Sequence, residues 1–153
     1  MLCPTCKTET KVVDSRVAPD GLSVRRRREC EKCGERFTTI EEMELLDITV
    51  VKRDGHREAY DREKIEQGIK LSMRKRPYTN ESFRTLISCI EADIQKRRKR
   101  EITSGEMGEI VMHFLKGFDK IGYIRFASIY RSFTDVSTFA RELRNLEKQK
   151  KKK

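Results

Sequence analysis

Four of the five cysteines fall into two Cys-x-x-Cys pairs, Cys3/Cys6 and Cys30/Cys33, and nothing else in the 153 residues restricts the fold as strongly. Two residues between thiols let a tight turn aim both sulfurs at one ion, and two such turns complete a tetrahedral thiolate site with Zn–S bonds of about 2.3 Å. Pro4 and Gly34 suit the turns, and Lys7, Lys32 and Arg36 place positive charge beside four thiolates that outweigh the metal. The spacing predicts one Zn2+ per chain on Cys3, Cys6, Cys30 and Cys33; a redox Cys-x-x-Cys pair is the competing reading. So small a ribbon has almost no core, so metal binding should supply most of its folding free energy, on the order of 10 kcal/mol. Cys89 lies in a helical pattern and is expected to be a buried small apolar side chain.

Between the pairs the sequence alternates like a β-hairpin. Lys11–Arg16 forms one strand, Ala18-Pro19-Asp20-Gly21 the turn and Ser23–Glu29 the return strand. Strand parity puts Val24, Arg26, Arg28 and Cys30 on one face and Arg25 and Arg27 on the other, roughly 7 Å apart, close to the phosphate spacing along a DNA strand. Arg25 and Arg27 are therefore the first candidates for nucleic-acid contact, with Lys11, Arg16 and Arg36 extending their surface. A solvated strand with acidic neighbours Glu29 and Glu31 is the plainer alternative.

The character changes after Phe37-Thr38-Thr39-Ile40, where the acidic segment Glu41–Glu44 leads to a boundary near residue 46. A second hairpin is expected from Ile48-Thr49-Val50-Val51, the turn Asp54-Gly55 and the return strand His56–Tyr60. Asp61 then caps a helix with stripe Ile65, Ile69 and Met73, ending at Arg74-Lys75-Arg76 before Pro77. Phe83, Leu86, Ile87, Ile90 and Ile94 mark a second helix closed by the basic run Lys96–Arg100, and Thr103-x-x-Glu106 opens a third as a capping box. A fourth covers about 120–133, and a fifth carries Val136, Phe139, Leu143 and Leu146. The expected fold class is α+β, a small antiparallel zinc ribbon followed by a β-hairpin capping a mainly helical bundle. The expected divisions are 1–45, 46–143 and a basic, solvated tail at 144–153.

The formal charge of +10 points to an anionic partner, but residues 1–45 balance nine Lys/Arg against nine Asp/Glu, and half the excess lies in 144–153. Placement therefore counts for more than the total. Lys52, Arg53 and Lys64 surround one turn and a helix start, which supplies free N–H groups to a polyphosphate, although Lys-Arg-Asp-Gly is equally a good exposed turn. No phosphate-binding glycine loop occurs among the eight glycines, and two histidines with no nucleophile arrangement argue against an enzyme. With no apolar stretch of membrane-spanning length and no signal peptide, a cytoplasmic chain without a membrane partner is expected. The rival classes are a nucleotide-processing enzyme and an RNA-binding ribbon with a protein-interaction bundle.

Cys-Pro-x-Cys at 3–6, Val-Val-Asp-Ser-Arg at 12–16, Arg-Arg-Arg-Arg-Glu-Cys-x-x-Cys-Gly at 25–34 and Arg-Phe-Thr-Thr at 36–39 resemble the bacterial transcriptional repressors of ribonucleotide reductase genes. Val-Val-Lys-Arg-Asp-Gly at 50–55, Asp-x-x-Lys-Ile at 61–65 and Tyr-x-Arg-Phe-Ala-Ser-Ile-Tyr-Arg-Ser-Phe at 123–133 resemble an ATP-cone domain. The resemblance covers about 1–145. It implies a homo-oligomeric repressor whose ribbon binds paired boxes in double-stranded operator DNA and whose cone senses ATP and dATP. It further implies that Lys52, Arg53 and Lys64 contact phosphates, that Glu58 fixes the sugar or base end and that Val50 lines the pocket. Tyr123, Arg125, Tyr130 and Arg131 belong to the same motif, with helix packing an equally good role.

Overall fold

The structure is a computed structural model that describes residues 1–19, 21–43, 47–131, 133 and 135–148. The chain separates into two compact units, Met1–Glu44 and Leu45–Lys153.

The first unit is an antiparallel sheet of β1 (Thr10–Val17), β2 (Ser23–Cys30) and β3 (Arg36–Glu42), in the order β1-β2-β3. The expected turn includes Asp20, which lies outside the described residues; beside it Gly21 takes φ +70° and donates its N–H to the Ala18 carbonyl at 2.8 Å. Strand β3 is an addition to the hairpin read from the sequence. It pairs along the free edge of β2 and takes Glu41 into the sheet, where that carboxylate meets Arg26 at 3.0 Å. Among the described residues of this unit, Cys3 and Cys30 are the buried apolar side chains, at 0% and 1% exposure. Such a sheet lacks the apolar area to hold itself together.

The second unit carries a small sheet of β4 (Thr49–Val51), β5 (Arg57–Ala59) and β6 (Glu101–Thr103), ordered β5-β4-β6, with β4 and β6 parallel. Around it pack α1 (Arg62–Ser72), α2 (Asn80–Lys96), α3 (Ser104–Phe118), α4 (Lys120–Tyr130) and α5 (Val136–Lys148). Ile69, Ile87, Ile90, Leu115 and Ala127 are almost fully buried at the centre of one core, with Val50 and Ile102 joining from the sheet. The helix starts are fixed by side chains: Asp61 accepts from the Glu63 and Lys64 N–H groups, and Thr103 and Glu106 form the expected reciprocal cap. Cys89 is half-buried on α2.

Three expectations are corrected. Helix α1 stops at Ser72, short of Arg74-Lys75-Arg76, because Lys75 turns the chain at φ 63° and Arg76 forks onto Asp119 at 2.7–3.2 Å. Only Lys96 of the second basic run belongs to α2; Arg98 reverses the chain at φ 51°, Lys99 reaches Glu106 at 2.8 Å and Arg100 leads into β6. Residues 144–148, expected in a solvated tail, belong instead to α5, which continues to Lys148, and Leu146 packs into the core at 5% exposure. Residues 149–153 lie outside the described residues.

Candidate functional site

The two cysteine turns are built alike. The Lys7 N–H donates to the Cys3 carbonyl at 3.0 Å and the Gly34 N–H to the Cys30 carbonyl at 2.9 Å, with Lys7 at φ 57° and Gly34 at φ 73°. Each turn continues with a second bond, from the Cys3 N–H to the Thr8 carbonyl and from the Cys30 N–H to the Glu35 carbonyl. All four Sγ atoms consequently lie within 4.8 Å of one another, with Cys3–Cys33, Cys6–Cys30 and Cys6–Cys33 at 3.6, 3.4 and 3.5 Å. The edge of a tetrahedron with 2.3 Å bonds is about 3.8 Å, so the cluster has the size of a zinc site. The Thr8 hydroxyl and N–H hold the Cys6 thiol down to about 6. The Glu35 N–H lowers Cys33, but the crowding sulfurs, Cys6 foremost, outweigh it and push Cys33 up to about 12. Four thiolates this close need a cation between them.

The five candidate DNA contacts share one face of the ribbon. Simple alternation would part Lys11 from Arg16; a bulge between Val12 and Asp14 absorbs one residue and returns Arg16 to the face of Lys11. In register across the sheet stand Arg16, Arg25 and Ile40, then Asp14, Arg27 and Thr38, then Lys11, Glu29 and Arg36. Asp14 holds Arg16 at 2.9 Å, Glu29 holds Arg36 at 3.1 Å and Glu31 meets Lys11 at 3.4 Å. Arg25 and Arg27 are exposed and, among the described residues, carry no ion pair.

In the second unit Glu58 bridges two cations, Lys52 and Lys64, each at 3.0 Å. Those lysines, Lys52 first, hold the Glu58 carboxyl below the usual carboxylate range. Val50 stands opposite Glu58 in the register, with its side chain in the core at 8% exposure. Arg53 turns elsewhere: its Nη2 donates to the Tyr130 carbonyl at 2.7 Å and its guanidinium lies 5.5 Å from the Tyr130 ring centre. Four of the five candidate nucleotide residues are thus gathered, and the fifth sits against the end of α4.

Residues 48–136 match the family model of the ATP cone domain, and residues 1–41 match that of the N-terminal domain of NrdR-like transcriptional repressors. A transcriptional repressor NrdR of Acetivibrio thermocellus is 48% identical over 151 residues, covering 98% of this chain and all of the relative. The chain belongs to the NrdR family of transcriptional repressors. The NrdR of Agathobacter rectalis is 46% identical over 95% of this chain and 97% of its own, and that of Listeria welshimeri 47% over 99% of both. The NrdR relatives are named as regulators, which agrees with the expectation that the chain is no enzyme. No helix among the described residues is long and apolar enough to cross a membrane.

Within this NrdR cone the fold assembles a set of side chains of which sequence reasoning singles out Arg53 as a site residue and places Tyr130 and Arg131 only in a motif. Arg53, Tyr130, Arg131, Phe133, Arg141 and Glu142 line an open hollow of about 600 Å³. Arg131 is held between Glu109 at 3.2 Å and Glu142 at 3.1 Å. The other two motif residues make structural contacts: Tyr123 is buried and donates to Glu142, and Arg125 donates to the carbonyls of Ser72, at the end of α1, and Arg74, just after it. Adjacent aromatic and basic residues at a helix end were the available signal, but Arg53 and Arg141 join them only through folding. The Tyr130 ring covers Gly108, where a methyl group would overlap it. Gly108→Ala should therefore displace Tyr130, cost about 1–3 kcal/mol and lower the melting temperature; an unchanged transition would contradict this packing.

Proposed function

We propose that the chain represses ribonucleotide reductase operons by binding paired operator boxes through a zinc-loaded ribbon, under control of ATP and dATP bound in the cone. The observation that carries the reading is the joining, in one chain, of two uncommitted arginines on a cysteine-anchored sheet and two lysines converging on one carboxylate. The ribbon, residues 1–45, is the DNA-binding unit, and Cys3, Cys6, Cys30 and Cys33 hold its zinc. The cone, from residue 46, is the sensor. The protein works in the cytoplasm, on the DNA, as a homo-oligomer.

Nucleotide enters at the Lys52–Glu58–Lys64 cluster. Its phosphates replace Glu58 as partner of both lysines. The released Glu58 accepts from a sugar hydroxyl or base amine, Val50 supplies the apolar wall and Arg53 takes a further phosphate oxygen. If ATP and dATP favour different arrangements of the ribbons, only one of which fits the operator spacing, nucleotide identity becomes DNA affinity. A coupling of about 1–3 kcal/mol changes affinity roughly 5- to 150-fold. One ribbon makes few phosphate contacts, so display of several on an oligomer provides the effective concentration.

Arg25→Ala and Arg27→Ala test the DNA face. Each should weaken binding to a reductase-operator duplex about tenfold at fixed salt and reduce the salt slope by about one, with ATP affinity unchanged. Wild-type anisotropy titrations for both variants would contradict the assignment.

A further inference from the structure

The arginine face of the ribbon holds one side chain that charge does not explain. Around Ile40 stand the cations Lys11, Arg16, Arg25, Arg27 and Arg36 and the carboxylates Asp14, Glu29 and Glu42, so cations remain in excess and the face favours a polyanion over a second copy of itself. Ile40 is 39% exposed and lies directly opposite Arg25 in the register. The exposed aliphatics Val12 and Val17 pair with Arg28 and Val24 on the opposite face, so Ile40 belongs to no apolar patch with them. Two residues earlier on the same face of β3, Thr38 adds a second exposed methyl group beside Arg27. Strands β2 and β3 thus set arginines and methyl groups in parallel columns about 4.8 Å apart, with successive side chains on a face roughly 7 Å apart. The β2–β3 pair of this three-stranded sheet has the width of the two-stranded ribbons that enter the DNA major groove, where arginine binds guanine and an apolar group packs on the C5 methyl of thymine.

We propose that Ile40, seconded by Thr38, reads thymine: its side chain packs on C5 methyl groups in the major groove of the operator while Arg25 and Arg27 hold the neighbouring phosphates or bases. The proposal rests on the reading of this face as the DNA-binding surface.

The test uses the full chain loaded with zinc and nucleotide, and a duplex that it selects from a random-sequence pool. Each thymine of that duplex is replaced in turn by deoxyuridine, which removes the methyl group and keeps the base pair. Wild type should lose roughly fourfold in affinity at one or two positions per half-site. Ile40→Ala should lose the same factor on the thymine duplex and become indifferent to deoxyuridine there, with zinc content and salt slope unchanged. Ile40→Val should retain part of the discrimination. If wild type binds the selected duplex but ignores deoxyuridine at every position, thymine reading is overturned and the DNA face stands. Loss of oligomer size on sedimentation of Ile40→Ala, with deoxyuridine discrimination intact, would assign Ile40 to an interface between copies and also overturn it. Failure to select or bind any duplex overturns the DNA-binding face itself.

Discussion

Cys30→Ser should release the metal, unfold the ribbon and reduce operator binding to background, while ATP binding and most of the helical circular dichroism persist. All five helices among the described residues belong to the second unit, whose core is made by its own side chains. The first unit has no such reserve: its buried apolar side chains among the described residues are two of the four cysteines. Removing one sulfur from a cluster spaced at 3.4–3.6 Å leaves three ligands and costs a large part of the metal's contribution, on the order of 10 kcal/mol for small structural zinc sites. That exceeds what a domain of this size has to spare. Zinc content by atomic absorption and operator binding by anisotropy measure the two halves of the effect. Operator binding at wild-type affinity with zinc lost would contradict the metal's structural role.

Lys52→Ala and Lys64→Ala should each weaken ATP and dATP by about tenfold to a hundredfold, because each removes a charged donor to phosphate. The double variant should lose detectable binding, since Glu58 then stands without the cations it now bridges and repels the phosphates. Stability should hardly change. Both lysines are substantially exposed, and exposed ion pairs contribute at most about 1 kcal/mol. Calorimetric titration of zinc-loaded protein measures the affinities; unchanged isotherms in the double variant would remove nucleotide from this cluster.

How much of the molecule was legible depended on the range of the interactions involved. The cysteine turns were readable because two residues of spacing determine where both sulfurs of a turn point, and the cap at Thr103 and Glu106 because its partners are three residues apart. Arg25 and Arg27 followed from strand parity, which holds within β2. Arg16 did not follow, since it reaches the same face only through a bulge that parity ignores. Strand β6 was hidden by its length: three residues with one apolar side chain, Ile102, have no period, and they pair with β4 from half the unit away. The basic runs after Ser72 and Lys96 look like helix ends, yet Arg76 is taken up by Asp119 at the start of α4 and Lys99 by Glu106 in the first turn of α3, partners that lie outside the helix each run appears to close. The turn cations were visible as a group of three, but the sequence did not show that Arg53 would part from Lys52 and lie on Tyr130. Local geometry carries chemistry that can be read along the chain; partner choice across the fold does not.

Control of DNA affinity by nucleotide is best measured as three binding isotherms of the zinc-loaded full chain on one labelled reductase-operator duplex, at one salt concentration, with ATP, with dATP and with neither. The expected result is an apparent Kd that differs at least fivefold between the ATP and dATP states, a difference that vanishes in Lys52→Ala. The same Kd in all three conditions would contradict the coupling of cone to ribbon.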